Sequence, residues 1–107
     1  MTLKDLMKEA NKVLKLDINW EDSNDENYNQ LFICANIRLN DLVGENFEAD
    51  SIFEEKYEKL VLYGIIAEYA FICGIFDIWK EYETKYDQTI KNLLERMPYH
   101  KILTDFN

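Results

Sequence analysis

Residues 60–76 constrain this chain more than any other feature, being apolar almost all round with Glu68 as their only charge. A helix of that composition must be buried on most sides or sit in a lipid bilayer. A spanning helix wants about 20 apolar residues, and a carboxylate at its middle costs about 2.5–3.5 kcal/mol. Gly64, Glu68 and Gly74 break this run, and no basic flanks are placed as a topology signal. The expectation is a central helix wrapped by the rest of the domain. With 107 residues, 48% of them hydrophobic, the chain holds enough apolar material for one core and one domain.

The remaining residues divide at recognisable starts and stops. Thr2 and Asp5 have the spacing of a capping box, with Asp where Glu is preferred. Leu3, Leu6, Met7, Ala10, Val13 and Leu14 follow at helical spacing, and Lys4, Lys8, Lys12 and Lys15 take the other face. A connector with Ile18 and Trp20 as anchors leads to a second such pair, Ser23 and Glu26. The stripe Tyr28, Leu31, Phe32, Ala35, Leu39 and Leu42, widened by Ile33 and Ile37, predicts a second helix that stops at Gly44. Phe47, in the acidic link that follows, is expected to point inward.

Ser51 and Glu54 make a third pair ahead of the central helix, and Gly74 turns the chain into a fourth. There Trp79, Tyr82, Tyr86, Ile90, Leu93 and Met97 share one side, while Lys80, Glu83, Lys85, Asp87 and Lys91 alternate on a solvated face before Pro98 closes it. Only 3 Gly and 1 Pro leave too little turn chemistry for many-stranded sandwiches or barrels. The predicted fold is therefore all-α: a four-helix domain over residues 1–98, its third and fourth helices forming a long antiparallel hairpin. An apolar tail, residues 99–107, follows; it docks on its own domain or on a partner. The start of the chain lacks the apolar core of a signal peptide, which implies synthesis without export.

Charge is distributed unevenly. The net is −9, yet residues 17–58 hold 12 acids and 2 bases, and the flanks are close to neutral. Such a balance disfavours sequence-specific binding of nucleic acid and contact with anionic membrane. The acidic segment is either a solvated face or a surface that repels DNA or matches a basic partner. Its candidate residues are Glu21, Asp22, Asp25, Glu26, Glu45, Glu48 and Asp50.

Nothing in the residues forms a catalytic, cofactor or metal site. Cys34 and Cys73 lie in apolar helical stretches and are expected to be small buried hydrophobes, and His100, the only histidine, has no placed partner. Calcium-loop spacing, a phosphate-binding glycine loop and a nucleophile elbow are all missing. Glu68 is the residue that demands an explanation. A carboxylate within an apolar helix needs a partner, and Arg38, the only base of the second helix, is the expected one. The aromatic set Tyr57, Tyr63, Tyr69, Phe71, Phe76, Trp79, Tyr82 and Tyr86 is first of all core. It is dense enough to leave surplus surface for self-association or a partner. Tyr63, Tyr69, Trp79 and Tyr82, with Tyr99, Ile102, Leu103 and Phe106 of the tail, are the candidate contacts.

Several segments together resemble the head–tail connector proteins of tailed bacteriophages, also called neck, adaptor or head-completion proteins. They are residues 54–64, then Ala67-Glu68-Tyr69-Ala70, Gly74-Ile75-Phe76-Asp77, and Glu83-Thr84-Lys85-Tyr86 with Ile90 and Leu93. Where that family often carries a longer β-containing insertion, this chain has only residues 44–50. The resemblance implies a structural virion protein, made in the host cytoplasm and resident in the neck. It implies a ring, twelvefold on the portal, that joins the filled head to the next neck or tail protein around the DNA channel. The acidic residues would then face the channel and let DNA slide.

Two other classes stay open: an acidic DNA mimic or regulator that binds a basic partner, and a small helical scaffold or dimerisation domain. An enzyme is the remaining reading. A mimic predicts salt-sensitive binding to a basic protein and needs no ring.

Overall fold

The computed structural model describes residues 1–96, which form four helices and no strand: α1 (Leu3–Leu14), α2 (Glu26–Val43), α3 (Glu55–Ile72) and α4 (Phe76–Arg96). The first capping box forms as the spacing predicts. Thr2 Oγ1 accepts from Asp5 N at 3.1 Å, and the Asp5 carboxylate accepts from Thr2 N at 3.1 Å. The other two pairs do not form.

At α2 the cap is Asp25 and not Ser23. Its Oδ1 accepts from Asn27 N and Tyr28 N, each at 3.0 Å, and its Oδ2 accepts from Asn19 N at 3.1 Å. A serine hydroxyl has one oxygen and cannot serve three donors so placed. These N–H groups, Asn19 first, hold the Asp25 carboxyl below its ordinary pKa. At α3 the cap residue is Glu54, whose side chain makes no capping bond.

Ser51 is occupied elsewhere. Its Oγ accepts from Glu48 N at 2.9 Å, and its carbonyl accepts from Leu3 N at 2.9 Å. Ala49 O accepts from Lys4 N at 2.9 Å, and Thr2 pairs with Ile52 in an isolated antiparallel bridge. Leu3 and Lys4 are first-turn donors with no partner inside α1. The α2–α3 connector is thus spent on capping α1, which removes Ser51 from the start of α3.

The central helix is buried as its composition requires. Nine of its 18 residues, from Tyr57 to Ala70, are buried, enclosed by α1, α2 and α4. Leu3, Leu6, Met7 and Ala10 of α1 meet Leu31, Cys34, Ala35 and Leu39 of α2 in the same core, to which α4 adds Tyr86 and Leu93. No helix among the described residues is long and apolar enough to cross a membrane. Phe47 does turn inward: it is half-buried, its ring 5.3 Å from that of Phe53. Ile33 and Ile37, expected to widen the core stripe of α2, instead stand outward, 52% and 38% exposed.

The hairpin turn is made by Gly74 at φ +71°, a left-handed conformation that a β-carbon disfavours. Gly74 N donates to Phe71 O at 3.3 Å and Ile75 N to Ala70 O at 2.8 Å, a Schellman closure; Ile75 O then accepts from Trp79 N at 2.9 Å to start α4. So α3 and α4 run antiparallel and pack along their length, as predicted. Met97, Pro98, His100 and the tail residues Tyr99, Ile102, Leu103 and Phe106 lie outside the described residues.

Candidate interaction surfaces

Arg38 and Glu68 do meet, and they are not alone. Arg38 Nε donates to Glu68 Oε1 at 2.8 Å, Nη1 to Glu83 Oε2 at 2.7 Å, and Nη2 to Glu83 Oε1 at 3.4 Å. Its guanidinium lies 4.7 Å from the ring centroid of Tyr86. One cation from α2 therefore ties the carboxylates of α3 and α4, with an aromatic face beneath it. Arg38 and Glu68 side chains are 13% and 14% exposed, and Glu83 is 30% exposed. Burial works against the Arg38 charge, but the Glu83 and Glu68 hydrogen bonds outweigh it and hold its pKa above the ordinary value. Burial likewise pushes the Tyr86 phenol up to about 12, against the pull of Arg38. Glu83, expected on the solvated face of α4, belongs to this cluster. The signal for it was its position three residues before Tyr86, which puts both on one side of the helix.

The thiols differ. Cys34 is fully buried, as expected, and its pKa is pushed up to about 12, chiefly by burial and then by Glu68. Cys73, expected to be buried too, is instead exposed, because it caps α3 at the hairpin turn. Titration of the native protein with a thiol reagent is expected to modify Cys73 promptly and Cys34 only under unfolding conditions. Two prompt thiols would contradict this packing.

Among the candidate aromatics, Tyr69 is buried in the core and offers nothing to a partner in this fold. Tyr63 and Tyr82 pair with each other at 5.9 Å, and Lys85 Nζ sits 4.6 Å from the Tyr82 ring centroid and 5.8 Å from that of Tyr63. Trp79 anchors a cluster at the hairpin turn, 6.0 Å from Phe71 and 6.3 Å from Phe76. Phe71 and Phe76 are 60% and 73% exposed there, with Ile72 beside them. The surplus aromatic surface is therefore at the tip of the hairpin, carried by residues whose exposure only the turn geometry decides.

No protein-family model matches the chain, and no curated protein or solved structure resembles it above the level expected by chance.

The acidic candidates fall into two groups. Glu21, Asp22, Asp25 and Glu26 precede or open α2, whereas Glu45, Glu48 and Asp50 follow it. The 18-residue helix, about 27 Å long at 1.5 Å per residue, separates them, with Glu26 as its first residue. Asp25 is committed to capping; the other six are exposed.

Beside the second group, a groove of about 700 Å³ runs along α2. Phe32, Ile33, Ile37 and Phe47 make its apolar lining, and Asp41 and Glu48 supply its charge. Asn36 fixes one wall: Phe47 N donates to its Oδ1 at 2.6 Å, and its Nδ2 donates to Phe47 O at 3.0 Å.

Proposed function

We propose that this chain is a non-enzymatic connector subunit of a tailed-phage neck, assembling as a ring around the DNA channel between the portal and the next neck or tail protein. The observation that carries the reading is the α3–α4 hairpin. It contains the residues on which the resemblance rests, and it presents an exposed aromatic tip, Phe71 and Phe76 against Trp79, suited to contact with another subunit. With α2 along the channel axis, the two acidic groups would meet DNA at successive depths and repel it.

The same spacing weighs against DNA mimicry. Duplex DNA carries a negative charge every ~1.7 Å of its axis, whereas the exposed acids among the seven candidates stand in two separate groups before and after α2 rather than in a continuous row. The deciding experiment is electron microscopy of portal rings mixed with the purified chain. An added ring of density on the portal is expected, and Phe71→Asp with Phe76→Asp is expected to remove it. Portal rings that stay bare at saturating chain would sink the proposal.

A further inference from the structure

We infer that the groove along α2 is a docking site for a cationic amphipathic segment of a different protein, one that sets apolar side chains on Ile33 and Ile37 and basic side chains against Asp41 and Glu48. The inference stands whether or not the chain is a neck subunit.

The groove is built before anything binds. Asn36 spends both ends of its amide on the Phe47 backbone, and Asn40 Nδ2 donates to Asn46 Oδ1 at 3.4 Å across the connector. The lining spans residues 32–41 of α2, about 15 Å of helix, which is the length of a short peptide segment rather than of a metabolite. Its apolar floor is open to water at Ile33 and Ile37, an exposure that nothing in α2's own packing requires.

Charge selects the occupant. Both charged residues lining the groove are carboxylates, neither is ion-paired among the described residues, and no Lys or Arg lines it. Glu45 and Asp50 add to the same sign nearby. A symmetrical contact with a second copy through this face would set carboxylate against carboxylate, which is repulsive. Among the described residues, the lysine-rich helix face is that of α1, with Lys4, Lys8 and Lys12, and Lys15 at its C-cap. That helix has already buried Leu3, Leu6, Met7 and Ala10 in the core, so α1 of a second copy would bring charge to the rim and nothing apolar to the floor. A foreign segment carrying both satisfies the groove.

The probe is a synthetic amphipathic peptide of leucine and lysine, titrated into the isotope-labelled full chain and followed by NMR, with a leucine–glutamate peptide as control. Shifts are expected to concentrate on Ile33, Asn36, Ile37, Asn40 and Phe47. Binding is expected to weaken about tenfold or more in Asp41→Lys with Glu48→Lys, and again in Ile33→Asp with Ile37→Asp, as loss of desolvated charge pairs and apolar anchors does. All four side chains are exposed, so these variants keep the fold, which circular dichroism verifies. The inference is overturned if the peptide does not bind or the control binds equally well. It is also overturned if the shifts fall on Phe71, Phe76 and Trp79 or spread over both acidic groups, or if the groove signals instead track self-association of the chain.

Discussion

Replacing Arg38 with alanine is expected to cost stability approaching about 3–5 kcal/mol, the range for removing one partner of a fully buried ion pair, since this cluster is buried for the most part. The reason is what remains. Glu68 and Glu83 would be left close together with no cation, and Glu68 is largely buried. Tyr86 would lose the guanidinium that covers its ring. Arg38→Lys is expected to recover only part of the loss, because a single ammonium cannot present three N–H groups to two carboxylates while lying flat on an aromatic face. Glu83→Gln is expected to cost least, since that side chain is the most exposed of the three and its amide still accepts a hydrogen bond. Denaturant unfolding of these variants checks the order. A triple variant, Arg38→Met with Glu68→Gln and Glu83→Gln, should lie closer to the parent than Arg38→Ala does, because it leaves no charge uncompensated. If Arg38→Ala and Glu83→Gln cost the same, the cluster is not the clasp described.

The half of this cluster that could be read from the sequence was the half that composition made abnormal. Glu68 stands out because it interrupts an apolar helix, and α2 offers a single base to meet it. Glu83 stands out less, because it sits among alternating charges. Its spacing from Tyr86 puts the two on one side of α4 without saying that this side faces Arg38 rather than water, which the rotation of α4 about its axis decides. The same distinction governs the helix starts. The Thr2 box forms because its partners are all local. The Ser51 box fails because α1's first-turn N–H groups, far away in the chain, claim the connector around it. Ile33 and Ile37 fit a hydrophobic stripe by period, yet the arc of α2 that α1 and α3 cover is narrower than the stripe. Patterns with local causes are legible; those settled by a neighbour's position are not. The groove and the aromatic tip belong to the second kind.

Gly64 carries the other large expectation, and here the sign of an effect is at stake. Alanine in place of glycine inside a helix ordinarily stabilises by about 1 kcal/mol. At Gly64 the added Cβ would stand 2.9 Å from Cε1 of Tyr86 and 3.4 Å from Cβ and Cγ of Arg38. The Tyr86 ring has little freedom to move aside, being 7% exposed and stacked against the guanidinium. Overpacking of that kind costs about 1–3 kcal/mol, so Gly64→Ala is expected to destabilise the chain despite its propensity gain. The missing β-carbon is what allows α4 to approach α3 closely enough for Glu83 to reach Arg38. Repeating the substitution in a Tyr86→Leu background, where no ring atom stands in the way, checks this. There Gly64→Ala should turn stabilising, approaching the ~1 kcal/mol that helix propensity supplies, and the two changes should couple by about 0.5–3 kcal/mol. If Gly64→Ala stabilises the parent chain as well, the close approach of Tyr86 does not limit the packing, and the Arg38 cluster is held by something other than the contact between these two helices.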